Sequence, residues 1–180
     1  MRILLHICCG PCLIYPLKQL RAKGFTVEGF FYNPNIHPPA EYSRRKEALQ
    51  YLIKTLDTPM SYPEYKPLDF FSAIKSNKNK PQRCSVCWYL RLKRTAKEAK
   101  DRGFNFFSST LLVSPYQDQE ILKGIGRAVS EEERINFYYE DFRVGFRAAH
   151  AQAKAMGIYC QNYCGCIYSK QERCKKLQRH

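Results

Sequence analysis

The apolar run Ile3-Leu4-Leu5-His6-Ile7 leads directly into Cys8-Cys9-Gly10-Pro11-Cys12, and Leu13, Leu17 and Leu20 then recur at helical spacing. An unbroken apolar run suits a strand covered on both faces, and a helix straight after it starts a strand–helix alternation. The first strand is expected over 2–7, and the helix after Pro11 ends at Gly24 in the C′ role. A second strand over 26–32 stops at Asn33-Pro34-Asn35. Pro38-Pro39 open a helix with Tyr42, Leu49, Leu52, Ile53 and Leu56 inward. Residues 60–65 make a short third strand, broken by Pro63 and so near an edge.

The alternation continues. Residues 67–75 read as a short helix with Leu68, Phe71 and Ile74 inward, followed by a polar, basic loop over 75–81 with the composition of a mobile segment. Cys84 stands at the entrance of a long basic helix ending near Gly103, and a strand follows over 105–112. Ser114-Pro115 lead into a helix carrying Ile121, Leu122, Ile125 and Val129; residues 136–140 are the last strand. A helix near 145–156, ended by Gly157, precedes a Cys-rich C-terminal segment at about 158–180. Strands separated by helices imply a mainly parallel sheet covered on both faces, as a single α/β domain over 1–180 with a Rossmann-like layout.

The 180 residues can bury one core, and their 44% hydrophobic share is globular. No stretch approaches a membrane span, and Met1-Arg2 followed by a short apolar run does not read as a signal peptide. A cytoplasmic location is therefore expected. There thiols stay reduced, so nine cysteines read as metal ligands or redox groups rather than as a disulfide scaffold. The 30 Lys+Arg against 16 Asp+Glu give a net charge of +14, which points to a polyanionic partner such as RNA or DNA. Heat-adapted chains are also rich in charge, but there Glu normally keeps pace with Lys.

Thiolate is a soft ligand suited to iron–sulfur clusters and zinc. The spacing of Cys84 and Cys87 allows both sulfurs to reach one metal or cluster, with Trp88 and Tyr89 beside them to limit water. Cys9 and Cys12 share that spacing, and the adjacent Cys8 and Cys9 can reach two irons of one cluster. Structural zinc usually takes matched pairs in a small lobe of hairpins. These groups instead follow strands or open helices, and are too numerous for one zinc, which favours a cluster. Cys12 stands equally as a ligand or as a packed residue beside Leu13. Cys160 and Cys174 have no partner at a diagnostic spacing.

Cys164-Gly165-Cys166 differs. Residues two apart have Cα atoms roughly 5.5–7 Å apart, at the edge of what a disulfide tolerates. The intervening glycine permits the distorted backbone of so small a ring. Such a strained disulfide is easily reduced, which makes it a candidate electron carrier; alternatively both thiols ligate metal. His6 is either a satisfied core residue or a partner or proton donor beside Cys8. His37, on a strand-end loop, can face a ligand. Asp141 either reaches the site as a proton donor or ligand or caps the turn that follows. Basic residues gather at Arg91, Lys93, Arg94, Lys97, Lys100 and Arg102, and in the tail at Lys170, Arg173, Lys175, Lys176 and Arg179. Tyr (13) and Phe (11) are abundant enough to offer stacking surfaces for an unpaired base beyond those used in the core.

The segments His6-Ile7-Cys8-Cys9-Gly10-Pro11-Cys12, Asn33-Pro34-Asn35-Ile36-His37-Pro38, Arg83-Cys84-Ser85-Val86-Cys87, Asp141-Phe142-Arg143 and Gln161-Asn162-Tyr163-Cys164-Gly165-Cys166, in that order, resemble the cobalamin-independent epoxyqueuosine reductase family, QueH. The resemblance runs from His6 to Ser169. It implies reduction of the epoxide of epoxyqueuosine at the wobble position of tRNA to the alkene of queuosine. It also implies a [4Fe-4S] cluster on Cys8, Cys9, Cys84 and Cys87, and a redox-active pair at Cys164 and Cys166. The implied sheet layout is similar to that of adenine-nucleotide hydrolase-like domains. The Ser-Gly-Gly phosphate loop of their ATP-using members is absent, Cys8–Pro11 standing in its place, so no ATP is expected, nor cobalamin.

Removing an epoxide oxygen as water takes two electrons and two protons. A cluster passes electrons singly and a dithiol supplies a pair, so the two groups complement each other. The working reading has an iron near Cys8 and Cys9 polarise the epoxide oxygen, Cys164 and Cys166 relay electrons from an unidentified donor, and Asp141 or His6 supply protons. A second iron is left open. Three other readings stand beside it: an iron–sulfur tRNA thiolation enzyme, which would need the missing ATP loop; a zinc-stabilised RNA-binding protein; and an electron-transfer subunit resembling the Cys-Cys-Gly domains of heterodisulfide reductases.

Overall fold

In the computed structural model, which describes residues 1–178, the strand nearest the N-terminus lies at the middle of the sheet. β1 (Arg2–His6) pairs in parallel with β2 (Thr26–Phe30) on one side and with β4 (Phe106–Ser109) on the other. β3 (Met60–Ser61) and β5 (Asn136–Phe137) are the edges of this five-stranded parallel sheet, in the order β3-β2-β1-β4-β5. The chain thus builds outward from β1 to β3, then returns across β1 to build the other half. Ile3, Leu4, Leu5 and His6 are fully buried, which is why β1 has no polar alternation. Helices cover both faces: α1 (Gly10–Ala22) packs against α2 (Pro39–Leu56) and α6 (Phe146–Ala155), and α4 (Gln82–Asp101) against α3 (Pro67–Ile74) and α5 (Gln119–Glu133).

The expected elements are present, but several end early for identifiable reasons. Only Phe106–Ser109 of the fourth strand pairs, because the Ser109 hydroxyl accepts the Leu111 N–H (3.1 Å) and turns residues Thr110–Val113 into a 3-10 helix. The third and fifth strands keep two residues each, as edge positions with a partner on one side. In α3 the inward pair is Phe70 and Ile74, an i, i+4 pair, whereas Leu68 is 73% exposed and Phe71 38% exposed. The inward assignment of Leu68 and Phe71 is therefore corrected. The Cys-rich segment carries a helix not expected from its composition, α7 (Ile167–Leu177). The basic loop before α4 is tied down by Arg83, whose N–H donates to Asn79 O and whose guanidinium donates to Lys78 O. Arg179, and the side chain of Lys176, lie outside the described residues. No described helix is long and apolar enough to cross a membrane.

The order of the strands leaves a crevice where β1 and β4 lie side by side and their connections depart to opposite halves of the sheet; open α/β sheets hold ligands at this place. At the edge of the sheet α5 approaches β5 closely. A Cβ on Gly126 would stand 2.1 Å from a Phe137 ring atom, while one on Gly124 of the same helix would meet nothing within 4 Å. Gly124→Ala should therefore stabilise by about 0.5–1 kcal/mol through helix propensity. Gly126→Ala should lose about 1–3 kcal/mol to overpacking, and opposite shifts in thermal midpoint check this.

Candidate active site

Cys8 and Cys9 follow β1 directly and Thr110 follows β4, so the crevice between the two central strands has thiols on one lip and a hydroxyl on the other. The Thr110 hydroxyl accepts the Cys8 N–H (3.0 Å) and donates to Cys8 Sγ (3.3 Å), which fixes both backbone and thiol. Cys9 is the extended N-cap of α1, and Cys12, three residues on, returns to the same side of that helix. The Sγ atoms of Cys8, Cys9 and Cys12 all lie within 4.8 Å of one another, so these three can hold a metal ion. Hydrogen bonds from Cys12 and Cys9 hold the Cys8 thiol well below its usual range, while burial pushes Cys9 up. Gln161 Nε2 donates to Cys9 Sγ at 2.8 Å.

A cavity of about 930 Å³ opens from this point, and Cys8, Cys12, Cys84, Cys87, Cys164 and Cys166 all line it. Cys84 and Cys87 reach it from the first turns of α4. Burial raises both thiols, Cys87 to about 11, and for both a nearby guanidinium opposes the rise: Arg83 for Cys84 and Arg91 for Cys87. Arg83 is itself buried and donates to Glu172 on α7 (2.7 Å), so the entry of α4 and the C-terminal helix share one ion pair.

The third group is held by Arg45, 2% exposed in α2. Its Nε donates to Glu41 Oε1 (2.7 Å), and its two Nη atoms donate to the carbonyls of Tyr163 (3.0 Å) and Cys164 (3.3 Å). The loop after β2 completes the clamp: the His37 N–H donates to Gly165 O, and the Tyr163 hydroxyl donates to His37 O. Gly165 has φ +127°, and a Cβ there would stand 3.0 Å from Ile36 and 3.1 Å from Asn35, so glycine is required on two counts. Cys164 and Cys166 are free thiols with Sγ atoms 4.0 Å apart, the first exposed and the second buried. Ser169 touches both, with Oγ 3.0 Å from Cys164 Sγ and its N–H donating to Cys166 Sγ at 3.3 Å.

Comparison with known proteins places this arrangement. The family model described as "Epoxyqueuosine reductase QueH" matches residues 3–172. The chain belongs to the QueH family. Proteins named epoxyqueuosine reductase QueH from Thermotoga maritima (36% identical, 97% of this chain and 93% of that protein) and Dehalococcoides mccartyi (35% identical, 96% and 94%) are similar over almost their full lengths. Among solved structures, a protein described as a predicted subunit of tRNA methyltransferase from Methanocaldococcus jannaschii shares the fold, with a TM-score of 0.59 at 12% identity over 86% of this chain and 74% of that one.

Within the QueH chain the residues singled out from sequence divide sharply. Cys8, Cys84, Cys87, Cys164 and Cys166 line one cavity, with Cys9 against Cys8 (Sγ to Sγ 3.7 Å). Cys12 joins the tight group, whereas Cys160 and Cys174 are not on the cavity wall. His6 is fully buried: Nε2 faces Tyr32 O (3.1 Å) and must donate, leaving Nδ1 for the Ser109 hydroxyl (2.9 Å). Burial lowers its pKa to about 4 and it lies off the cavity wall, the surroundings of the satisfied-core alternative rather than of the proton-donor one. Asp141 is also off that wall, 41% exposed, and paired with Arg143, which lowers its pKa and keeps it ionised. Its carboxylate accepts the Arg143 N–H (3.1 Å), the turn-capping alternative. His37 packs its ring against both Phe70 and Phe71, and its backbone N–H and carbonyl hold Gly165 and Tyr163. Of the basic residues expected to gather along α4, Lys93, Arg94, Lys97 and Arg102 are paired with acids, and Arg91 lines the cavity together with Arg83 at the entry of the helix.

Arg45 and Gln161 carry roles that sequence reasoning missed. The only available signal for Arg45 was its i, i+4 spacing from Glu41, which reads as an ordinary surface pair. Arg45→Met leaves Glu41 buried and uncompensated, so it should cost about 3–5 kcal/mol in chemical denaturation, and adding Glu41→Gln should recover part of that loss.

Proposed function

We propose that this chain is an oxidoreductase that reduces the epoxide of epoxyqueuosine in tRNA to the alkene of queuosine. The observation that supports it most is the gathering of thiols from three separate chain segments on one cavity. A reduction that combines single-electron and electron-pair steps needs two kinds of sulfur site close together, and a cluster beside the dithiol on this wall would supply both.

The donor set suits a cluster. Cys8, Cys9, Cys84 and Cys87 would hold [4Fe-4S]: they are free soft ligands at a crevice with apolar walls from Phe70, Trp88 and Leu111, and with Arg45 and Arg91 to offset thiolate charge. When bound, such a cluster supplies single-electron transfer. The compactness of Cys8, Cys9 and Cys12 favours a second reading, in which those three hold a single ion such as zinc.

The remaining chemistry belongs to the chain. Oxidation of the Cys164–Cys166 dithiol to its disulfide releases two electrons and two protons, and the epoxide consumes both in becoming an alkene and water. The overall step balances without another reactant, and an external donor restores the dithiol. Ser169, in contact with both sulfurs, holds them on the cavity side of α7. Gln161, through its bond to Cys9, stabilises negative charge on that sulfur. Protons come from the dithiol and solvent, since His6 and Asp141 are engaged elsewhere. The whole chain works as one α/β domain in the cytoplasm, where thiols stay reduced.

Anaerobic incubation of the cluster-loaded protein with epoxyqueuosine-containing tRNA and a chemical reductant should give queuosine, read as the nucleoside by mass spectrometry. No queuosine would overturn the assignment. With a thiol reductant, the Cys164→Ser, Cys166→Ser variant should lose multiple-turnover product formation by about 100-fold or more, and full turnover would remove the relay.

A further inference from the structure

One rim of the cavity carries an aromatic ring that the chemistry above does not use. Tyr116, in the turn between the 3-10 helix and α5, is 83% exposed although it lines the cavity wall. The turn is ordered by its own bonds: the Tyr116 N–H donates to Ser114 Oγ (3.3 Å), Gln119 Nε2 donates to Ser114 O (3.3 Å), and Asp118 caps α5 through the Ile121 N–H (3.1 Å). Phe146 supports the ring edge-to-face, with centroids 5.8 Å apart at 86°, and itself lies on His150 at 4.2 Å. The outer face of Tyr116 is left open to solvent. An ordered, back-supported and uncovered ring at the mouth of a cavity is a stacking surface awaiting a flat ligand.

The charge around it specifies that ligand. Arg147, Lys154 and Arg173 line the same cavity, and none of them pairs with an acid among the described residues. The basic face of α4, by contrast, is largely neutralised by Glu98, Asp101 and Glu132. Uncommitted cations beside an open aromatic face match a single-stranded polynucleotide, in which bases stack on rings and phosphates meet the cations. We propose that Tyr116, backed by Phe146, stacks on an unpaired base adjoining the epoxide-bearing nucleotide, and that Arg147, Lys154 and Arg173 hold the flanking phosphates. This deepens the tRNA reading above and rests on it. The stack would anchor the neighbouring nucleotide at the rim while the modified one enters the cavity toward Cys8 and Cys164.

The test is equilibrium binding of substrate tRNA, measured by fluorescence anisotropy as a function of salt and without turnover, so that it stands apart from the reduction assay. Tyr116→Ala, at a ring too exposed to matter for folding, should weaken binding about 5- to 150-fold with an unchanged salt slope. Tyr116→Phe should restore most of the affinity, because the stack needs the ring and not the hydroxyl. Arg147→Gln with Lys154→Gln should instead flatten the salt slope, by about 0.7 for each single-strand phosphate that is no longer neutralised. Equal affinity for wild type and Tyr116→Ala would overturn the proposal, and equal losses in the alanine and phenylalanine variants would overturn it in favour of a hydroxyl contact. If Tyr116→Ala left tRNA binding intact but raised the KM for a protein electron donor, the rim would belong to that donor and the proposal would fail.

Discussion

Arg45 is a guanidinium taken almost wholly out of water, and such a group is tolerated only where every donor finds an acceptor. Glu41 satisfies one side of it, and the carbonyls of Tyr163 and Cys164 satisfy the other. The Tyr159 hydroxyl donates to the second oxygen of Glu41 (2.9 Å), so both charges are enclosed by the C-terminal segment. The consequence is geometric. The C-terminal segment is pinned to α2 and to the loop after β2, which places the dithiol on the same cavity as the thiols that follow β1. The placement of Cys164 and Cys166 depends on this buried polar network as well as on the packing of Cys166 against Phe70 and Ile74.

The sheet was legible because its central strand is apolar on both faces and because three helices end at a recognisable glycine stop. Gly24, Gly103 and Gly157 adopt positive φ just past their helices, as their positions suggested. What could not be read depended on particular side-chain contacts that the apolar pattern does not carry. The strand over 105–112 gives way to a 3-10 helix at Thr110 because a local Ser109 bond competes with the ladder. Phe70 rather than Phe71 turns inward because Cys87 and Cys166 are there to receive it, and no local periodicity carries that information.

The site was legible in its cysteines and illegible in the groups around them. A thiol at the end of a buried strand has few places to go, so Cys8 and Cys9 could be placed from sequence alone. His6 ends β1 and Asp141 follows β5, yet each is claimed by a nearer partner: His6 by Ser109 and Tyr32, Asp141 by Arg143. Cys12 stood evenly between packing and ligation, and it is both buried and within reach of Cys8 and Cys9. Arg147, Lys154 and Arg173 stand unpaired around the cavity, whereas most of the basic residues on the helix whose composition advertised charge are paired with acids.

On the proposed reading, thiols from separate segments form one metal centre. Iron and acid-labile sulfide, measured on anaerobically loaded protein and on a Cys84→Ala, Cys87→Ala variant shown by circular dichroism to be folded, test it most directly. The account predicts iron and sulfide in equal amounts in the wild type and the loss of both in the variant. Zinc without sulfide in the wild type, or undiminished iron and sulfide in the variant, would contradict it.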